Sequence, residues 1–228
     1  SQFDKNYMHA LIRYNRALQQ RNVLLKNEKE HIDVNLLEIW EEQLTDEGMF
    51  IFEKRKAFID QFIPIFNRFY NLISRSNENV SLQYVSQLQD NDLHHLLKRN
   101  RQKDIVLGYT TVGIHRDDLE MLLDNFPIKK TGSQGQNKTF FVSMKLAQFH
   151  FLLETTKTKP LLLLDDIFDR LDGSRVEEII KLVLENEFGQ IFISDTNRKS
   201  LDKMLEKTAH TDYHIYSVKN GYISQLTD

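Results

Sequence analysis

Apolar side chains at Phe3, Tyr7, Leu11, Tyr14, Leu18 and Leu25 recur at steps of three, four or seven. That spacing lays them along one stripe of a helix running to about Glu28, with Lys5, Arg13, Arg16 and Arg21 on the other side. A second helical pattern runs over residues 34–44 through Val34, Leu37, Trp40 and Leu44, and a phenylalanine-rich third runs over 50–73. Pro64 lies inside the third and is expected to kink it or mark a boundary. Val80, Leu82 and Tyr84 alternate as a strand does, and a short helix is expected over 92–101.

Beyond about Ile105 the texture changes. Short strand-like runs at 109–112 and 119–123 precede a helix over 133–154, and a run of leucines at 161–164 reads as a fully buried strand. A helix over 174–184, a strand over 191–194 and two short strands over 213–218 and 221–226 complete the pattern. Alternation of strand and helix is the grammar of a layered α/β domain. No internal repeat and no low-complexity linker interrupts it.

Composition narrows the class. The 228 residues suffice for one large domain or two small ones, and 40% hydrophobic with 28% charged residues is an ordinary globular balance. Three prolines and eight glycines leave few helix breaks. No apolar run approaches the roughly 18 residues of a membrane span. No signal peptide is seen, and the start at Ser1-Gln2-Phe3-Asp4, without Met, leads us to expect a piece of a longer chain. The absence of cysteine excludes disulfides and thiolate metal sites and fits a cytoplasmic protein. A net charge of −3 and a pI near 6.2 argue against wholesale coating of nucleic acid, while a local basic groove stays compatible with them.

Three segments carry candidate chemistry. Pro160-Leu161-Leu162-Leu163-Leu164-Asp165-Asp166 reads as an apolar strand delivering two carboxylates to a sheet edge, where α/β folds build their sites. One carboxylate could support Mg²⁺ and the other orient an attacking water; the plainer reading is a solvated turn capping a helix. Thr131-Gly132-Ser133-Gln134-Gly135-Gln136 fits a capping box, S-x-x-Q, at the start of the 133–154 helix, whose Phe140, Met144, Ala147 and Phe151 would then be core. A capped helix start flanked by glycines also presents N–H groups and a favourable dipole end to an anion, so the two readings coexist. Phe168-Asp169-Arg170-Leu171-Asp172 read alone is a loop in which Asp172 or Ser174 caps the next helix.

In order along the chain, these segments resemble the second half of an ABC-type ATPase head: signature motif, Walker B, D-loop. Gly132-Ser133-Gln134-Gly135-Gln136, with Thr110-Thr111-Val112-Gly113-Ile114-His115-Arg116-Asp117-Asp118-Leu119 upstream, is similar to the RecF family. That family has a T-x-x-G-P-H-R-D-D stretch at this place, and here Ile114 stands where proline is usual. Leu11-Ile12-Arg13-Tyr14-Asn15-Arg16-Ala17-Leu18 resembles the family's helical arm. The fold the resemblance implies is a mainly helical arm over 1–105 and part of an ABC-type head, a layered sheet with helices, over 106–228.

The resemblance also implies roles. ATP would be sandwiched between two copies, with Ser133, Gly135 and Gln136 closing on the γ-phosphate held by the partner copy and Asp172 at the dimer interface. Asp165 would support Mg²⁺, and Asp166 stands where many relatives carry a water-activating glutamate. One methylene shorter, Asp166 implies slow, switch-like hydrolysis. No histidine occupies 192–197, where many ABC ATPases carry a switch histidine, so Asp195 or Thr196 would substitute. His115 is read as a structural hydrogen-bonding residue. No stretch fits G-x-x-x-x-G-K-[ST], so this chain alone is expected neither to bind ATP tightly nor to hydrolyse it, and to leave apolar surface uncovered. Double-stranded, gapped or junction DNA and the RecO and RecR proteins are the implied partners. Arg13, Arg16, Arg21, Lys98, Arg99, Arg101 and Lys103 are the candidate phosphate contacts. Two other readings stand beside this one: a docking module with a vestigial nucleotide site, and a metal-dependent nuclease or Toprim-like enzyme using Asp165 and Asp166. The nuclease leaves the Gly-Ser-Gln-Gly-Gln segment unexplained. A Rad50- or SMC-like chain would instead need very long heptad coiled coils.

Overall fold

The first apolar stripe forms helix α1, Lys5–Asn27, and buries Ala10, Tyr14, Ala17, Leu24 and Leu25. Asp33 then caps a helix of 41 residues, α2, Val34–Ser74, its carboxylate accepting from the N–H groups of Asn35 (2.9 Å) and Leu36 (3.2 Å). The two helical patterns over 34–44 and 50–73 form one continuous helix, and Pro64 lies inside it rather than at a boundary. Proline removes a single backbone donor and costs about 3 kcal/mol inside a helix. Burial of Phe62, Phe66, Phe69 and Tyr70 on either side of it offsets more than that, at roughly 1.5–3 kcal/mol for each large side chain. The computed structural model describes residues 4–27, 33–76, 78–157, 159–165, 171–185, 189–196 and 213–226.

α2 is the spine of the first of two compact units, 1–158. Its first half packs with α1 and with α3, Leu93–Leu107, around Tyr14, Leu44, Ile51, Phe52, Leu93 and Leu97. Gly48 permits that closeness, since a Cβ there would stand 2.5 Å from Leu93 Cδ2. The second half of α2 packs on α5, Gln134–Thr156, through aromatic pairs: Phe66 with Phe140 (centroids 4.6 Å apart) and Phe58 with Phe151 (4.9 Å). Between the helical parts lies a three-stranded antiparallel sheet of β1 (Val80–Val85), β2 (Asp118–Leu123) and β3 (Phe126–Pro127), followed by one helical turn, α4, Ile128–Thr131. Residues 109–112, expected as a strand, form no ladder; Thr110 and Thr111 instead bond to Asn22 and Asp104. The change of texture near residue 105 falls inside this unit.

The second unit, 159–228, holds β4 (Leu162–Asp165), α6 (Gly173–Glu185) and β5 (Ile191–Ser194), with β4 and β5 parallel and in register from Leu162–Ile191 to Asp165–Ser194. A helix between two parallel strands is the βαβ unit. β6 (Ile215–Lys219) and β7 (Tyr222–Leu226) form a hairpin whose turn uses Gly221 at φ +82°. The leucine run is not buried throughout: Leu162 and Leu164 are inside, while Leu161 and Leu163 are 62% and 71% exposed. Side chains alternate across a strand, and one face of this two-stranded sheet lies uncovered among the described residues.

Candidate nucleotide site

Gly132 and Ser133 turn the chain from α4 into α5. A Cβ on Gly132 would fall 2.8 Å from the Ile128 carbonyl and 2.7 Å from Ile128 Cγ1, so this approach excludes a larger residue without a shift. Ser133 caps the helix with extended backbone, and the capping box is complete. Its Oγ accepts from Gln136 N (3.2 Å), while its own N–H donates to Gln136 Oε1 (2.8 Å). The Ser133 hydroxyl proton is left to donate elsewhere, and Ser133 and Gln134 are exposed. The N–H groups of Gln134 and Gly135 lie in the first turn, beyond the reach of any carbonyl of their own helix. Hydroxyl, paired N–H groups and dipole end together make a donor set that fits an anion such as a phosphate.

Gln136 is held from outside as well. Its Nε2 donates to Glu78 Oε1 (3.0 Å), and Glu78 Oε2 accepts from Tyr70 Oη (2.5 Å) on α2. Glu78 belongs to no motif and no periodic pattern, and sequence reasoning passed over it.

In the second unit Asp165 ends β4 exposed, with Ser194 at the end of β5 donating its hydroxyl to Asp165 Oδ1. Among the described residues nothing bonds the other carboxylate oxygen, so the residue fits an Mg²⁺ support, as one ligand. No group of three or more His, Asp or Glu side chains that could hold a metal occurs among the described residues. Asp172 caps α6, accepting from Ser174 Oγ (2.5 Å) and Arg175 N (3.0 Å). Those bonds, that from Ser174 first, hold its carboxyl below the usual carboxylate range. The capping expectation for this aspartate is what the geometry shows. Asp166 lies outside the described residues. Asp195 and Thr196 follow β5 directly, at its carboxyl end.

The stretch from Thr110 to Asp117 is fastened to the arm. Tyr14 Oη meets His115 Nδ1 at 2.8 Å, and His115 Nε2 meets the Thr110 carbonyl at 3.2 Å. The carbonyl only accepts, so Nε2 carries the proton and Nδ1 accepts from Tyr14. Burial pushes the His115 pKa below its ordinary value, against the opposing bond to Thr110, which keeps the ring neutral. Asp117 Oδ2 accepts from Arg55 (2.8 Å) and Tyr84 (2.6 Å), and Arg55 also donates to the Ile114 carbonyl (2.7 Å). Gly113, at φ +122°, leaves room for the Tyr14 hydroxyl.

The candidate phosphate contacts divide sharply. Arg21 is a correction: it is 0% exposed, bonded to Glu41 (2.9 Å), Asp104 (2.8 Å) and Thr110 (2.8 Å), and cannot reach a nucleic acid. Arg101 is partly buried against Glu41 (2.6 Å) and Glu38 (3.3 Å), and exposed Arg13 is paired with Glu47. Arg16, Lys98, Arg99 and Lys103 are exposed with no ion pair among the described residues. Arg99 and Lys103, four apart, share one face of α3.

A helical N-terminal part, a serine-capped helix start and a βαβ unit ending in an aspartate make a mixed helix-and-sheet chain that matches the RecF ABC-type ATPase fold. No family model matches the chain. It is 54% identical to the DNA replication and repair protein RecF of Bacteroides thetaiotaomicron and 52% identical to that of Porphyromonas gingivalis, covering 99% and 98% of this chain. The chain belongs to the RecF family, and it spans 61% of the length of these curated relatives. A solved RecF–ATP structure from the RecFOR pathway matches 99% of the chain at 27% identity with a TM-score of 0.78, the chain covering 60% of that protein. A RecF structure with an ATP analogue from the same pathway matches with a TM-score of 0.77. Among the described residues no helix is long and apolar enough to cross a membrane.

Proposed function

We propose that this chain supplies the helical arm and the nucleotide-closing half of a cytoplasmic DNA replication and repair ATPase. In this reading ATP-dependent self-association clamps DNA and, with RecO and RecR, helps place recombinase at gapped DNA. The arm is assigned to 1–105 and the head part to 106–228. The single observation that carries the reading is the exposed, capped start of α5, a helix terminus that keeps a hydroxyl proton and first-turn N–H groups facing out. The names of the relatives and the nucleotide in the matched RecF structures support it.

ATP and Mg²⁺, when bound, supply the charge that draws two copies together and the bond whose hydrolysis releases them. The residues of this chain bind and orient. Ser133 donates its hydroxyl, and Gln134 and Gly135 their N–H groups, to phosphate oxygens held by the partner copy. Asp165, oriented by Ser194, supports the hydrated cation. Asp166 is assigned to the water, and Asp172 fixes the start of α6 beside the dimer interface. The exposed cations Arg16, Lys98, Arg99 and Lys103 are the DNA contacts we favour.

Sedimentation of the full-length protein with and without ATP tests the reading. Ser133→Arg fills the anion position and is expected to abolish ATP-dependent dimers while leaving the fold intact. Dimers that form as readily in the Ser133→Arg variant as in wild type would refute the assignment.

A further inference from the structure

We infer that Glu78 is a positioning residue for the signature helix, coupling the end of the arm helix α2 to the residues that close on nucleotide. The inference rests on the reading above and adds a residue to it.

The contacts form one relay. Tyr70, fully buried near the end of α2, donates its hydroxyl to Glu78 Oε2 (2.5 Å). Glu78 Oε1 accepts from Gln136 Nε2 (3.0 Å), and Gln136 Oε1 accepts from Ser133 N (2.8 Å). Gln136 N closes the circuit on Ser133 Oγ (3.2 Å). The relay has one direction of reading. Turning the Gln136 amide over would set its NH₂ against the Ser133 N–H and its carbonyl oxygen against the Glu78 carboxylate, two repulsive contacts in place of two bonds. An acceptor oxygen at position 78 therefore selects the rotamer that completes the capping box.

Backbone geometry holds Glu78 for this purpose. α2 ends on Arg75 and Ser76, both left-handed at φ 55° and 57°, a conformation that non-glycine residues seldom adopt. On the other side Asn79 is tied down by Asp124 N donating to its carbonyl (2.9 Å). Glu78 thus sits between a strained helix end and a sheet, beside the one side chain of the signature segment that faces inward. A displacement of the α2 terminus moves the Glu78 carboxylate, and with it the orientation of Ser133 and the first-turn N–H groups. A capping box needs no outside acceptor to form. A buried tyrosine and a carboxylate trained on its glutamine make the cap responsive to the arm.

The full-length protein with Glu78 and Gln136 exchanged in a double-mutant cycle supplies the test, read by amide hydrogen exchange of peptides spanning 131–140 and by the ATP concentration that half-saturates self-association. Glu78→Ala and Gln136→Glu should each speed exchange at 134–137 and raise the required ATP, by about fivefold to tenfold, the effect of losing one hydrogen bond. Glu78→Gln should stay near wild type, since its carbonyl still accepts from Gln136 and its NH₂ donates to Tyr70. In Glu78→Gln with Gln136→Glu, donor and acceptor have traded places, and both readouts should return to within about twofold of wild type. Unchanged exchange in Glu78→Ala and Gln136→Glu, or a double variant that keeps the full Gln136→Glu defect, overturns the proposal. So does an exchange pattern as expected with the ATP requirement unmoved, provided Ser133→Arg still blocks self-association; Glu78 would then be structural only. If Ser133→Arg has no effect either, the nucleotide reading itself has failed, and the coupling with it.

Discussion

Arg21 on the first helix and Asp104 near the end of the third are separated by 83 residues in sequence and meet at 2.8 Å, both wholly buried. Around them Glu41, Arg101, Thr110, Thr111 and Asn22 complete the hydrogen bonding, so that α1, α2, α3 and the segment after α3 share one polar knot inside an apolar bundle. A buried charge is tolerable only when its partners are complete.

Removing the guanidinium should therefore be expensive. Arg21→Ala leaves Glu41 and Asp104 buried without it and is expected to cost about 3–5 kcal/mol in urea unfolding. Arg16→Ala, on the exposed side of the same helix, should change stability by less than about 0.5 kcal/mol. Equal effects of the two would show that the knot contributes nothing particular.

Gly113 is the position where a methyl group should be least welcome. Its φ of +122° disfavours any side chain, and an added Cβ would stand 2.5 Å from the Tyr14 hydroxyl. Gly113→Ala is expected to lose about 1–3 kcal/mol from the backbone alone, with further loss as Tyr14 is driven from His115. Gly173→Ala, where nothing lies within 4 Å of the new carbon, is the near-neutral control. Thermal midpoints of the two variants measured together decide it.

His115 gives the arm a pH dependence of definite sign. Its folded pKa is lowered by burial, so below the unfolded value of about 6.5 the unfolded chain binds the proton that the folded one refuses. The stability it contributes is complete above that pH and is lost as pH falls toward the folded pKa. His115→Gln can donate to Thr110 and accept from Tyr14 without titrating. The stability of wild type relative to this variant should decline between pH 7.5 and 5; a difference constant with pH contradicts the neutral ring.

The exposed cations of α3 should be visible in the salt dependence of DNA binding. Arg99→Glu with Lys103→Glu is expected to weaken affinity and reduce the slope of log K against log salt by roughly 0.9 for each duplex phosphate that is no longer neutralised. A slope that does not change assigns the DNA surface elsewhere.

How far the sequence carried this picture depends on the range of the forces involved. The capping box at Ser133 and Gln136 was readable because its partners lie three residues apart, and the 191–194 strand and the hairpin near Gly221 were equally local. The apolar stripe of α1 fixed Tyr14 and Leu25 as core for the same reason of period. Pro64 does not end the helix because a local penalty is outweighed by phenylalanines packing on a helix more than seventy residues further on, such as Phe66 on Phe140. The leucines of β4 misled: the letters are uniform, and only strand alternation with cover on one side separates Leu162 from Leu163.

By itself the sequence determined most of the helices and strands and the helix cap at Ser133 that makes an anion site possible, because each follows from periodicity or from side chains bonding to their own nearby backbone. Tertiary structure alone decided that Arg21 is a buried cross-link rather than a DNA contact, that His115 is held neutral between Tyr14 and Thr110, and that Glu78 faces Gln136. Those facts join residues tens of positions apart, and a charged side chain carries no mark of whether its partner will be water or a carboxylate brought to it by the fold.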